Sequence, residues 1–191
     1  EKKKNAKKIF DIAYKRGVYP SSIHQFYLAR GKNEFSGFTP LETGCQRQPS
    51  AACGGLPLTG FTVPAINLRS MTYDLAKAIF RVGKINNSGA FIFEIAKSEM
   101  GYTNQPAIEY SSVVLAAAIK EGFSGPVFIQ GDHFQVNAAK FKENPDKEIE
   151  GLKALITDAI ESGFYNIDID SSTLVDLSKP EVKKQQYNNY E

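Results

Sequence analysis

An α/β fold built on parallel strands follows from three features of this 191-residue chain. From residue 61 onward, short apolar runs alternate with longer runs of helical period. Two of the helical runs stop at a glycine, Gly122 and Gly163, and the one Asp-His dipeptide falls where an apolar run ends. Strand-helix alternation of this kind builds β-α units rather than hairpins.

The elements follow in order. Residues 6–15 form one amphipathic helix, whereas residues 17–60 are rich in Gly, Pro, Ser, Gln and Thr and have little period. That stretch reads as a long irregular insertion or a poorly ordered segment, with a lid over a site as the alternative. Tyr19, Phe26, Tyr27, Phe35 and Phe38 are its aromatic packing groups. Residues 1–60 therefore separate from the repeating region 61–191. In that region the first strand is expected at 61–68, and a helix at 72–85 carries Leu75, Ala78, Ile79 and Val82 on one side. The second strand is expected at 90–96. A strongly apolar helix at 105–121 ends at Gly122, a residue free to take the left-handed conformation of a helix terminus. The third strand is expected at 126–131, a helix at 146–162 with Ile149, Leu152, Leu155, Ile156 and Ile160 on one face, and the fourth strand at 165–170. That makes about four β-α units.

Crossovers of this length build either an open doubly wound sheet or a closed barrel. After the first strand the chain reads Asn67-Leu68-Arg69-Ser70, without the dinucleotide glycine fingerprint, and no GxxxxGK[ST] phosphate loop occurs. Both absences count against the open-sheet nucleotide binders. Four units are half of an eight-stranded barrel, and half a barrel leaves strand edges unpaired. The chain begins without methionine and stops at Glu191, just after Ser178 and Pro180 signal a new helix, so it reads as a piece of a longer sequence.

Composition excludes several classes. With 42% hydrophobic and 23% charged residues, the chain can bury a core, so disorder is not the default. No run approaches the ~20 apolar residues of a membrane helix, and no apolar leader core follows the basic start, which points to a cytoplasmic protein with no membrane partner. A net charge of +2 does not argue for nucleic acid, and the lysines within residues 2–8 read as a solvated helix face. Cys45 and Cys53 make neither a disulfide framework nor a four-ligand zinc site, and read as incidental thiols.

Chemistry concentrates in Val127-Phe128-Ile129-Gln130-Gly131-Asp132-His133-Phe134-Gln135. In an α/β barrel the C-terminal strand ends build the active site. Successive residues on a continuing strand point to opposite faces, so Asp132 and His133 serve one site only if the strand has finished by Gly131. A neutral imidazole is a good metal ligand, and a carboxylate beside an activated substrate can move a proton. The bland alternative is a helix-capping aspartate followed by a surface histidine. In Ile167-Asp168-Ile169-Asp170 the alternation places both aspartates on one face, Asp168 deeper and Asp170 near the mouth, with the isoleucines against helices. Here the bland alternative is a solvent-facing strand edge. The same alternation turns Glu94 inward. His24, the only other histidine, lies outside the four units, so histidines of this region alone do not complete a three-ligand zinc site.

These residues resemble the class II, zinc-dependent fructose-bisphosphate aldolases and their tagatose-bisphosphate relatives. The likeness lies in Val63-Pro64-Ala65-Ile66-Asn67, in Asp132-His133, in Ile169-Asp170-Ser171-Ser172 and in the approach Ala159-Ile160-Glu161-Ser162-Gly163-Phe164. It covers about residues 61–178, in the family's order and spacing. The resemblance implies that residues 61–191 are strands one to four of a TIM (β/α)8 barrel and that the protein is a cytoplasmic lyase of glycolysis and carbohydrate metabolism. It would cleave or form a ketose bisphosphate such as fructose 1,6-bisphosphate, with dihydroxyacetone phosphate and glyceraldehyde 3-phosphate as the halves. It implies Zn²⁺ or another divalent metal on His133, proton exchange by Asp132, and barrel-mouth or substrate-binding places for Asn67, Lys97, Asp170 and Ser172. A sugar phosphate is the implied partner, a homo-oligomer the implied assembly, and the piece alone is expected to be inactive.

This chain departs from the family pattern near Ala96, where a serine is usual, and in the longer, more polar stretch 134–147. Lys97 has a phosphate, Glu94 or Glu99 as its candidate partners. Two other readings stand beside the aldolase: a metal-dependent sugar or sugar-phosphate isomerase or epimerase, and a non-catalytic barrel fragment.

Overall fold

The computed structural model describes residues 2–19 and 63–190. Helix α1 spans Lys2–Lys15, and β1 (Ala65–Asn67) opens the β-α region. Then come α2 (Thr72–Ile85), β2 (Phe91–Ala96), α3 (Lys97–Thr103), α4 (Ala107–Glu121) and β3 (Val127–Gln135). The chain continues through α5 (Ala138–Glu143), α6 (Pro145–Glu161), β4 (Asn166–Asp170) and two helices of four residues, α7 (Val182–Gln185) and α8 (Tyr187–Tyr190). The four strands form one parallel sheet in the order β1-β2-β3-β4.

Strand alternation divides this sheet into two unlike faces. Phe91, Phe93 and Ile95 of β2 and Val127 and Ile129 of β3 are buried against Ala76 and Phe80 of α2, Tyr110, Val114 and Leu115 of α4, and Leu152 and Ala159 of α6. The main core cluster draws on this covered face, while Phe128 is buried on the other face in ring contact with Tyr165. The other face carries a register row of polar residues, Asn67, Glu94, Gln130 and Asn166, one from each strand. Helix α4 can be buried almost all round because its hydroxyls are satisfied within the helix. Ser111 Oγ donates to Ala107 O at 3.1 Å and Ser112 Oγ to Ile108 O at 2.6 Å. Gly122 ends α4 with φ 62, as its sequence position foretold.

The segment after α1 seals the N-terminal end of the strands. Val127 N donates to Val18 O at 2.8 Å, and Tyr19 stacks between Phe10 and Tyr165 with ring centroids 5.0 and 5.2 Å away. Tyr19 thus packs as an aromatic anchor. His24, Cys45, Cys53, Phe26, Tyr27, Phe35, Phe38 and the start of the expected first strand lie outside the described residues.

Several expectations are corrected. The third strand runs four residues past Gly131, to Gln135. The helix signalled by Ser178 and Pro180 is only the single turn of α7. Ile169, expected to lie against helices, is 60% exposed on β4, which among the described residues is an edge strand of the sheet. Among the described residues no helix is long and apolar enough to cross a membrane.

Candidate metal and acid-base site

A β-bulge builds the site. Gly131 pairs with Ile167 and Phe134 with Ile169, so Asp132 and His133 together oppose the single residue Asp168. His133 absorbs the extra residue in the left-handed region, with φ 47. Holding a non-glycine residue there costs on the order of 1–2 kcal/mol. The bulge breaks the alternation for one step, so Asp132 and His133 both stand on the polar face without the strand having ended. Gly131 matters through space rather than through a turn: a Cβ on it would sit 2.5 Å from Phe134 Cε1. Without that Cβ the Phe134 ring folds into the core behind the bulge, fully buried.

On the polar face the three side chains converge. One ligand atom each from Asp132, His133 and Asp168 lies within 4.8 Å of the others. His133 Nε2 is 3.8 Å from Asp132 Oδ1, and His133 Nδ1 is 3.8 Å from Asp168 Oδ2. The His133 side chain is 63% exposed, Asp168 53% and Asp132 27%, so solvent and small ligands reach all three.

Asp170 supports them. Its Oδ2 lies 3.2 Å from His133 Nδ1 and accepts from Gln135 Nε2 at 2.7 Å, while Oδ1 accepts from the Ser172 amide at 2.9 Å. Ser172, through hydroxyl and amide, and then Gln135 and His133 hold the Asp170 carboxyl down to about 2. The same contact, backed by the charge of Asp132, raises the His133 imidazole above its ordinary value. When the ring is neutral, a carboxylate on Nδ1 favours the tautomer with its proton there, which turns the Nε2 lone pair to the Asp132 side. The depth order is the reverse of the sequence reading: Asp170 is 10% exposed and Asp168 is not buried, because Ser172 and Gln135 close over Asp170 alone.

The remaining sequence-marked residues ring this cluster without entering it. Asn67 Nδ2 donates to Glu99 Oε2 at 2.8 Å, and its buried Oδ1 has no partner. Glu94 accepts from Gln130 Nε2 at 2.6 Å, one layer below Asp132. Beneath it Tyr110, whose phenol is pushed up by burial, donates to Glu94 O at 2.7 Å. Lys97 pairs with neither Glu94 nor Glu99. Its Nζ meets Glu148 Oε1 at 3.1 Å and Gln135 O at 2.9 Å. Ser172 contributes its amide to Asp170.

Sequence reasoning missed Gln135 and Glu148 and named Glu99 only as a partner for Lys97, yet each left a signal. Gln135 lies two residues after His133, on the same face. Glu99 stands three residues after Ala96 and accepts from its amide at 2.9 Å, which starts α3. Glu148, four residues before Leu152, is an acid on the apolar stripe of α6, and it is buried.

One imidazole and two carboxylates suit a divalent cation with coordination positions left open, and their spacing is within reach of the ~3.4 Å between ligands around a tetrahedral ion of that size. Beside such an ion a carboxylate that is not fully neutralised can exchange a proton with a bound hydroxyl. No protein-family model, no curated protein and no solved structure matches this chain, so the likeness to the aldolases rests on the short segments quoted above and the site rests on its own geometry.

Proposed function

We propose that the sheet is a four-strand sector of a TIM (β/α)8 barrel and that the protein is a divalent-metal-dependent aldolase acting on a ketose bisphosphate such as fructose 1,6-bisphosphate. Sequential strand order without reversal, and a main core cluster whose helices pack on one face among the described residues, support a barrel sector over a doubly wound sheet, whose order reverses and whose helices cover both faces. The observation that carries the activity is the bulge, which brings Asp132 and His133 to one face beside Asp168.

His133, Asp168 and Asp132 are the groups that would hold the ion, zinc by resemblance. When bound, it supplies a Lewis acid for the ketose carbonyl. Asp132 accepts the proton of the substrate hydroxyl as the adjacent carbon-carbon bond breaks, and returns it in the condensation direction. Asp170 keeps the His133 ring in one orientation. Lys97 Nζ is engaged by Glu148 and Gln135 O. The reading includes a cytoplasmic homo-oligomer whose partner is the sugar phosphate.

The test is triose phosphate release from fructose 1,6-bisphosphate by the full protein that contains this chain, with and without chelator. Turnover should require metal and fall by about 10²-fold or more in Asp132→Ala even when metal is supplied at saturation, the scale of acid-base residues. Undiminished turnover in metal-free protein would refute the reading. The presence of Asp168, a second carboxylate beside one imidazole, favours a sugar-phosphate isomerase or epimerase as the second reading. Product analysis separates them: the aldolase yields two trioses, the isomerase an intact sugar.

A further inference from the structure

Between α6 and the imidazole runs a chain of polar contacts that the proposed chemistry does not use. Glu148, buried in the first turn of α6, accepts from Lys97 Nζ at 3.1 Å and from the Asn137 amide at 3.0 Å through one oxygen, Oε1. Lys97 Nζ, at the C-terminal end of β2, donates also to Gln135 O at 2.9 Å. Gln135 Nε2 donates to Asp170 Oδ2 at 2.7 Å, the oxygen that lies 3.2 Å from His133 Nδ1. The chain therefore ends on Nδ1, whose proton decides whether Nε2 turns a free lone pair toward Asp132.

From this geometry we propose that Gln135 is a positioning residue for His133, fixed in its main chain by the Lys97–Glu148 pair and in turn holding Asp170 against Nδ1. The physical reason lies in the bulge. Residues 132 and 133 have left the regular ladder with β4, which resumes at Phe134 and Gln135, opposite Ile169 and Asp170. Lys97 ties that rejoining point to β2, so the extra residue cannot be passed on toward the loop. Glu148 is fitted to this part. Its carboxyl is held below the usual carboxylate range, first by the Asn137 amide and then by Lys97, so the ion pair persists while α6 and the end of β3 stay together. A buried carboxylate that only stabilised α6 would have no need of a lysine that reaches past it to a strand carbonyl. The proposal deepens the metal-site reading and rests on it for the choice of divalent ion as probe, although the ring orientation itself can be read without any ion.

The experiment compares the parent with Gln135→Met, Lys97→Met and the double variant, with two readouts. Imidazole ¹⁵N shifts of the metal-free protein at a pH where the ring is neutral report the tautomer, and Co²⁺ titration followed by its visible spectrum reports affinity and ligand geometry. In the parent, a single tautomer with the proton on Nδ1 is expected. Gln135→Met should give mixed tautomers, weaken Co²⁺ by roughly 10-fold or more, the scale of outer-shell partners, and change the visible band, with the melting temperature of the metal-free protein nearly unchanged because Gln135 is exposed. Lys97→Met should act in the same direction, and its effect should largely vanish in the Gln135→Met background, since both act through one contact. Lys97→Arg, which keeps the donors and the charge, should restore the parent spectrum and guards against misfolding of Lys97→Met. A parent-like tautomer and spectrum in Gln135→Met, or full additivity of the two changes, would overturn the proposal. If the parent binds no Co²⁺ yet the tautomer still responds to Gln135→Met, the positioning role stands and the metal-dependent function falls.

Discussion

The two faces of one sheet divide the work of this chain, although they are built from alternate residues of the same strands. Phe91, Phe93 and Ile95 go to the covered face, where burial of apolar area stabilises the fold. Glu94 and Gln130, their immediate neighbours, go to the polar face and hydrogen-bond each other one layer below Asp132. Stability and chemistry are separable as long as the alternation holds. At Asp132 and His133 it does not: the bulge gives the polar face two consecutive side chains and leaves the covered face to resume with Phe134.

The largest effect that would break this division is a loss of packing. Phe93→Ala removes a fully buried ring in contact with Phe80 and Phe91 and should cost about 3–5 kcal/mol in denaturant melts. Metal affinity of the fraction still folded should be close to that of the parent, and a large loss of affinity would show that the faces are coupled throughout. Gly131→Ala probes the one place where they should be coupled. The added methyl meets the Phe134 ring, so we expect a cost of about 1–3 kcal/mol from overpacking together with weakened metal binding as the bulge shifts. Destabilisation with unchanged metal binding would separate the ring from the bulge.

How much of this was legible in the sequence follows the same division. Helix α2 falls on its expected residues, and α4 and α6 follow from apolar period, although α2 buries Thr72, Ala76, Phe80 and Gly83 while the expected Leu75 and Val82 are exposed. The Asp132-His133 pair was legible as chemistry. The bulge was not, since its left-handed residue is a histidine and no glycine marks the spot. The short helices α3 and α5 were missed because seven and six residues are too few to show a period. They are set instead by single caps, Glu99 on the Ala96 amide and Asn137 Oδ1 on the Lys140 amide. The partner of Lys97 was hidden because Glu148 lies 51 residues away.

A smaller effect sharpens the polar side of the comparison. The Asp170 carboxyl, at 3.8 ordinarily and about 2 when folded, binds its proton less readily in the native state. Its contribution to stability is therefore complete above about pH 4 and lost as pH falls toward 2, on the order of 1 kcal/mol after allowance for solvent screening. His133 has the opposite sign: raised when folded, it contributes fully below its ordinary 6.5 and ceases to do so as pH climbs past its folded value. Asp170→Asn should remove its own share of the acid limb and reduce the His133 limb, which Asp132 and Asp168 also feed. Survival of the acid limb in that variant would assign it to other carboxylates.

The bulge gathers Asp132, His133 and Asp168 on the polar face in an arrangement that could hold a cation. Titrating Mn²⁺ into isotopically labelled protein and mapping paramagnetic broadening tests it most directly. We predict saturable broadening confined to the surroundings of Asp132, His133, Asp168 and Asp170, sparing α2 and abolished by His133→Ala. No saturable broadening, or broadening centred on carboxylates elsewhere such as Asp74 or Glu121, would contradict it.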